Sequence, residues 1–303
     1  MRDTIYFKQV ELLIRILPLI AGEKDFALKG GTAINFFHRN MPRISVDIDL
    51  TYLPLTERKT SMENIEAILK RIKSKIESSV PGTNVFPRKV KGDTIGLIVD
   101  SQNAVVKIEP NLVIRGTVFP TEQKRICDKA AELFEVSIKM KTLGFADLFG
   151  GKICAALDRQ HPRDLFDVKL LLENERITNI VRQAFIVYLI SHSRPIIELL
   201  NPNFIDIKEM YEKEFKKMTE DDVSLDELIH TREILVKKIN NSLNYTERQF
   251  ILSVKKGEPE WGLMNLDNIQ NLPGVRWKLK NIERMSKVKR QEAFNKLQHH
   301  LLD

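Results

Sequence analysis

Cysteine is nearly missing from this chain: Cys127 and Cys154 are the only two in 303 residues. Neither a disulfide framework nor a zinc cluster can be assembled from them, and a reducing compartment fits. Long hydrophobic runs are missing too. The best candidate, VELLIRILPLIAG near the start, is broken by Glu11, Arg15 and Pro18 and falls short of the ~20 apolar residues that a membrane-spanning helix needs. No secretion signal is recognisable, so a cytoplasmic protein without membrane association is the expectation. Repeats and low-complexity segments are also absent, and the short polar or Pro-containing joints point to packed units rather than beads on a linker.

What is present suits an ordinary globular protein. An apolar content of 43% over 303 residues is enough to build the cores of two folding units. Lys plus Arg number 48 against 41 for Asp plus Glu, a net charge of +7. That balance permits a polyanionic partner without requiring one. Basic residues are densest in RWKLKNIERMSKVKR, residues 276–290, which reads equally well as a nucleic-acid surface or as a solvated helix face.

The periodicity divides the chain in two. Val10, Leu12, Leu13, Ile16, Leu17 and Ile20 recur at helical spacing up to Gly22. A short strand, DFALKGG, then runs into a helix carrying Ala33, Ile34, Phe36 and Phe37, which Pro42 stops. RISVDIDLTYL alternates with the period of a strand, residues 61–80 form an amphipathic helix, and TIGLIVD and AVVKIEPNLV read as further strands. Beyond residue 128 strand signals almost vanish, and helices follow one another, one with Pro162 at its first position. The expectation is a mixed α/β unit over residues 1–138 and a mostly helical unit over 139–303.

Two constellations carry chemistry. Asp47 and Asp49 stand at i and i+2 on a strand, so they share a face, while Val46, Ile48 and Leu50 point into the core. Paired carboxylates repel unless a cation lies between them or one is protonated. A hard divalent ion with room for water and phosphate oxygens, Mg2+, is the economical solution. The turn Gly30-Gly31-Thr32 precedes them at the head of a helix, where main-chain N–H groups can receive a triphosphate and Thr32 can add a hydroxyl. Glu109, on the alternating strand VVKIEP, is a candidate third acid; it reads equally well as a solvent-facing edge residue. In GKICAALDRQHPRDLFD, Lys152 and Arg159 lie seven residues apart on one helix, so they share a face. Arg163, Asp164 and Asp167 follow on the next helix, where Arg163 and Asp167 have the spacing of a helix-stabilising ion pair. A lysine beside phosphates acts as a point charge, and His161 in the turn reads as structural.

LKGGTAINFFHRNMPRISVDIDLTYL, VVKIEPN and GGKICAALDRQHPRDLFDVKLLL, in this order, resemble the AbiEii/AbiGii family of minimal nucleotidyltransferase toxins. That family includes phage-abortive-infection toxins and mycobacterial tRNA-modifying toxins. The motifs span roughly residues 5–175, and TERQFILSVKKGEPEWGLM with LPGVRWKLKNI near the end is also similar to family members. The resemblance implies an α+β fold, a DNA polymerase β-like nucleotidyltransferase core with a mixed sheet. A helical C-terminal domain follows, and its first helices complete the active-site cleft. It further implies NTP as co-substrate, Mg2+ (with Mn2+ as an alternative), and an AbiEi-like cognate antitoxin encoded alongside, often with a winged-helix DNA-binding part.

Carried over residue by residue, Gly31 and Thr32 match the glycine and hydroxyl residue of the first motif. Many members have Gly-Ser there, and Gly-Gly-Thr keeps the hydroxyl. Asp47 and Asp49 match the metal-binding pair, Glu109 the second-motif acid, Lys152 the third-motif lysine and Asp167 the essential aspartate beyond it. The expectation is therefore a toxin that transfers a nucleoside monophosphate from an NTP to RNA, foremost the 3′ end of tRNA. Asp47, Asp49 and Glu109 would hold metal, Gly30, Gly31, Thr32, Lys152 and Arg159 would bind nucleotide, and Asp167 would orient Lys152 or the attacking hydroxyl. Two other readings stay open at this point: transfer to a protein or small-molecule hydroxyl, and an NTP-binding module that acts by sequestering a partner.

Overall fold

The alternation along RISVDIDLTYL becomes β2, Asp47–Tyr52, in which Ile48, Leu50 and Tyr52 are fully buried and Asp47 and Asp49 are half-buried. This strand lies in the middle of a seven-stranded mixed sheet in a computed structural model that describes residues 5–90 and 92–302. The other strands are β1 (Phe26–Lys29), β3 (Thr83–Val90), β4 (Asp93–Ser101), β5 (Ala104–Asn111), β6 (Glu122–Arg125) and β7 (Lys139–Thr142), in the spatial order β3-β4-β5-β2-β1-β7-β6. β2 runs antiparallel to β1 and parallel to β5, while β3, β4 and β5 form an antiparallel meander. Two parallel pairs, β2 with β5 and β1 with β7, make the sheet mixed.

Helix α1, Ile5–Ala21, buries Phe7, Val10, Leu12, Leu13, Ile14, Ile16, Leu17 and Ile20. It packs on β5 and β7. Each such aliphatic side chain contributes roughly 1.5–3 kcal/mol when fully buried, so this helix alone supplies a large share of the core. Pro18 inside it is exposed, and it leaves the carbonyl of Ile14, one turn back, without its helical N–H partner. After β1 the chain enters α2, Gly30–Ala33, which continues without a break as a π-helical turn over Ile34–His38. Helix α3, Arg58–Ser79, lies against β3, β4 and α1, and Asn64 on it donates to the Tyr52 hydroxyl at 3.0 Å. The face bearing Ile48, Leu50 and Tyr52 is therefore the α3 face, and Asp47 and Asp49 are on the other.

Contacts divide the chain into two units, Met1–Gly144 with Lys213–Asp222, and Phe145–Glu212 with Val223–Asp303. The division thus falls after β7, six residues beyond the boundary expected at 138, because β7 pairs with β1 and β6. Segment 213–222 joins the first unit through an antiparallel bridge from Arg43 to Thr219 and a hydrogen bond from Ile44 N to Met218 O at 2.6 Å. The first unit also holds α4, Asp128–Phe134.

The second unit is helical: α5 (Phe145–Arg159), α6 (Pro162–Asn174), α7 (Asn179–Ser191), α8 (Ile196–Leu200), most of α9 (Lys208–Glu214), α10 (Leu225–Ser242), α11 (Tyr245–Lys256), α12 (Pro273–Glu283) and α13 (Lys287–Leu302). α5 and α7 cross closely at Gly150, where an added Cβ would stand 2.7 Å from Phe185 N and 2.8 Å from Ala184 Cβ. Reciprocal capping boxes start α10 (Ser224 with Glu227) and α11 (Asn244 with Glu247), satisfying N–H groups that helix ends leave open. Among the described residues no helix is long and apolar enough to cross a membrane.

Candidate functional site

In the first unit, strand register assembles a charged row. Lys29 on β1 pairs with Asp49 on β2, which pairs with Glu109 on β5; one step along, Asp47 stands beside Lys107. Residues in register on neighbouring strands share a face, so Asp47, Asp49 and Glu109 all project from the same side of the sheet. The Gly-Gly-Thr turn lies directly against them. Gly30 has φ +70°, in the left-handed region where only glycine is unstrained. A Cβ placed on it would lie 3.1 Å from both Cβ and Cγ of Asp49 and would overlap the carboxylate oxygen Oδ2. The first glycine therefore makes room for the second aspartate.

Two expectations about this cluster change. The Thr32 side chain is buried, its hydroxyl donates to the Asp47 carbonyl at 2.5 Å, and Ser45 Oγ lies 3.0 Å from it. That hydroxyl braces the turn against the start of β2 instead of reaching toward phosphate. Glu109, expected as a third metal ligand, forms an ion pair with Arg88 of β3. The guanidinium can cross the intervening strand because Gly96, the partner of Arg88 on β4, has no side chain and lies against Glu109. Among the described residues no three His, Cys, Asp or Glu side chains come close enough to hold a metal ion by themselves. The donor chemistry of Asp47 and Asp49 still fits Mg2+, which takes one or two carboxylates and fills its octahedron with water and substrate phosphate oxygens.

The second unit holds the other constellation. Lys152 on α5 is 6% exposed; its Nζ lies 2.7 Å from Asp164 Oδ1 and 2.9 Å from Asp167 Oδ2, both carboxylates being fully buried on α6. Arg159, at the last turn of α5, binds Asp164 in a fork, Nε to Oδ2 at 2.5 Å and Nη2 to Oδ1 at 3.1 Å. Burial pushes the Asp164 carboxyl up, but Lys152 and then Arg159 outweigh it and hold the group well below the usual carboxylate range. The geometry depends on the Arg159–Pro162 corner: His161 caps α6 by accepting from Arg163 N at 3.1 Å, and Pro162 occupies the first helical position. Asp167 contacts Lys152, a partner on the preceding helix that its i−4 spacing from Arg163 does not indicate. Asp164 was named in this cluster from the sequence but given no role, yet it is the residue that Lys152 and Arg159 share. Its signal was the i, i+3 pair of acids on α6 next to a lysine and an arginine.

The comparisons with known proteins point one way. A family model described as "Nucleotidyl transferase AbiEii toxin, Type IV TA system" matches residues 11–247. Among solved structures, the chain is similar to MenT4, a nucleotidyltransferase toxin from Mycobacterium tuberculosis H37Rv, at a TM-score of 0.63 and 13% identity, covering 97% of this chain and 93% of that one. At that identity the likeness concerns the fold. No curated protein sequence matches the chain.

Proposed function

Because the chain belongs to the AbiEii family of nucleotidyltransferase toxins of type IV toxin–antitoxin systems, we propose that it transfers a nucleoside monophosphate from an NTP to an RNA hydroxyl, foremost the 3′ end of tRNA. The observation that carries this is the placement of Asp47 and Asp49 on one sheet face against the Gly30 turn. In the reaction the acceptor oxygen bonds to the α-phosphorus, the bond from that phosphorus to the bridging oxygen breaks, and pyrophosphate leaves. When bound, Mg2+ supplies charge neutralisation on the triphosphate. Asp47 and Asp49 fix its position. Main-chain N–H groups of Gly31 and Thr32 receive phosphate oxygens at the head of the α2 turn. Gly30 keeps the Asp49 carboxylate where it is.

Lys152, Asp164, Asp167 and Arg159 serve the same reaction, with Asp167 and Asp164 positioning the lysine and not themselves touching the nucleotide. Such catalysis consists of positioning and electrostatics, so loss of one metal-binding carboxylate abolishes turnover while leaving the fold intact. The RNA reading is supported by residues 276–289, where Arg276, Lys280, Arg284, Lys287 and Lys289 are exposed, as is Trp277, a ring suited to stacking on a base. Lys278, between them in sequence, is buried and donates to the carbonyls of His192 and Arg194, so it takes no part. Family membership implies a cognate antitoxin, and we take it to be AbiEi-like. Phage abortive infection would be the physiological setting.

The test is transfer from each α-32P-labelled NTP to total tRNA, with Mg2+ and with Asp49→Ala as control. Label on tRNA that the variant loses is the expected result and identifies the nucleotide. Label on protein or on a small hydroxylated acceptor, with none on RNA, would overturn the acceptor but keep the metal site. An Asp49→Ala protein that is folded and still toxic would overturn both.

A further inference from the structure

Phe204 and Ile205 are neighbours on the segment 201–207 that follows α8, and both are exposed, at 47% and 45%. The main chain beneath them is clamped. Gln160, a buried side chain, grips the peptide on both sides of Phe204: its Nε2 donates to Asn203 O at 2.8 Å, and its Oε1 accepts from Ile205 N at 3.2 Å. Arg232 of α10, also buried, completes the grip by donating from Nη1 to Gln160 Oε1 at 2.9 Å and to Ile205 O at 2.7 Å. Its guanidinium carbon stands 4.3 Å from the centre of the Phe204 ring, and the ring face compensates the cation. One face of Phe204 is thus covered, and the exposed surface belongs to the other face and the rim. Gln160 has φ +51°, a left-handed conformation that costs a residue with a Cβ about 1–2 kcal/mol, and it lies between Arg159 and His161 at the α5–α6 corner. A strained backbone, a buried glutamine and a buried arginine therefore hold two apolar side chains in one fixed place outside the core. Strain of this kind marks surfaces that bind.

We propose that the open face of Phe204 is a stacking platform for a base of single-stranded RNA, with Ile205 as its apolar flank. This rests on the reading above that RNA is the acceptor. A fixed ring with one open face suits such a strand, because every base has a π-face and stacking needs no reading of base edges. The guanidinium behind the ring draws ring charge toward itself, which lessens repulsion between the open face and the electron-rich face of a purine. The base of an NTP is a poorer match, since a site that selects one nucleotide encloses it with walls and placed polar groups, whereas Phe204 and Ile205 stand in solvent. The corner that carries the clamp also carries Arg159, so a base stacked here belongs to the stretch of RNA near the cluster assigned to transfer.

The experiment is equilibrium binding of fluorescein-labelled octaadenylate, read by fluorescence anisotropy over a salt series, for the full chain and variants at position 204, with thermal unfolding as the check on folding. Phe204→Ala should weaken binding about tenfold. It should leave the salt slope unchanged, because no phosphate contact is removed. Phe204→Trp should bind at least as tightly as wild type. Phe204→Leu keeps the apolar bulk without a π-face and should resemble Phe204→Ala, so this pair decides the matter if the alanine variant folds poorly. Among octamers with one abasic sugar at successive positions, at least one should bind wild type as weakly as Phe204→Ala binds the intact strand, and should lose nothing more in that variant. The proposal is overturned if wild type binds octaadenylate and all the variants bind alike, if the salt slope falls together with the affinity, or if Phe204→Ala weakens ATP binding and spares RNA. Wild type that binds no single-stranded RNA, yet transfers labelled nucleotide to another acceptor, overturns the RNA reading and the platform with it; the other outcomes strike the platform alone.

Discussion

Replacing Gly30 by alanine puts one methyl group where the structure has none to spare. At φ +70° an L-residue pays about 1–2 kcal/mol for the left-handed conformation. The new Cβ also stands 3.1 Å from Cβ and Cγ of Asp49 and overlaps its Oδ2. Backbone on both sides is held in the β1–β2 ladder by the pairing of Lys29 with Asp49, so the carboxylate must rotate away. Together these terms give a loss of about 2–3 kcal/mol in unfolding free energy. The larger effect falls on catalysis, because a displacement of about 1 Å at a positioning group costs about 100-fold in rate.

Gly31→Ala is the matched control. Its Cβ would meet Arg43 Nη2 and Ser45 Oγ, each at 2.8 Å, on two buried side chains that must shift, but neither carboxylate of the aspartate pair. Without the left-handed backbone term it should cost less stability, and it should leave the Asp49 carboxylate in place. Calorimetric unfolding together with the labelled-NTP transfer assay measures both quantities. A Gly30→Ala enzyme as active as wild type, in an assay that Asp49→Ala abolishes, would refute the idea that this glycine holds the carboxylate in place.

Three further outcomes are expected. Lys152→Met strips a shared cation from two fully buried carboxylates and should destabilise the protein by about 3–5 kcal/mol at neutral pH in denaturant titrations. Because the Asp164 value is depressed in the folded state, its stabilisation is present above the unfolded carboxylate value of about 4 and is lost as pH falls through the folded one. The deficit of Lys152→Met should therefore narrow below about pH 4, and a deficit independent of pH would contradict the assignment. Arg88→Ala frees Glu109 from its ion pair and should tighten Mn2+ binding measured by electron paramagnetic resonance; unchanged affinity would show that Glu109 has no access to the metal. Replacing Lys280, Arg284 and Lys287 together by Gln should weaken tRNA binding across sequences and flatten its salt dependence by up to about three charges' worth of slope, which filter binding over a salt series measures; an unchanged slope would leave these side chains as a solvated face.

The parts of the fold that were readable before the structure are those whose burial imposes a period. β2 alternates because one face is core and the other carries Asp47 and Asp49, and α1 repeats its apolar residues because it covers the sheet. β3 and β6 were not readable. They are the two edges of the sheet; β3 buries only Val85 and contains Pro87, and β6 is Glu-Gln-Lys-Arg with nothing buried. Edge strands kept charged resist pairing with other chains, and that same charge erases the alternating signature. Segment 213–222 gave no local sign of belonging with the first unit, since its place depends on Phe215 and Met218 finding a core far away in sequence.

The site shows the same limit. Acids at i and i+2 on a strand can be placed on one face from spacing alone, but whether Glu109 joins them depends on Arg88 two strands away and on the gap that Gly96 leaves. The role of the Thr32 hydroxyl could not be read either, because its acceptor is a main-chain carbonyl 15 residues on.

The two charged constellations are neutralised in different ways, and the difference bears on what each can do. Asp47 and Asp49 are half-buried, with Lys29 and Lys107 in register beside them. A carboxylate in that position keeps enough access to solvent to exchange water for metal and phosphate. Lys152 is nearly as buried as the two acids it touches, and with Arg159 the four groups sum to no net charge. A lysine so compensated offers a phosphate little attraction as a point charge, since each ångström it moves toward an anion is a move away from Asp164 and Asp167. Its value lies in being held in one charged, fixed orientation, with reorganisation already done before substrate arrives. On this reasoning Asp167→Asn, which leaves Lys152 its bond to Asp164 but shifts the balance to net positive, should tighten NTP binding while slowing transfer.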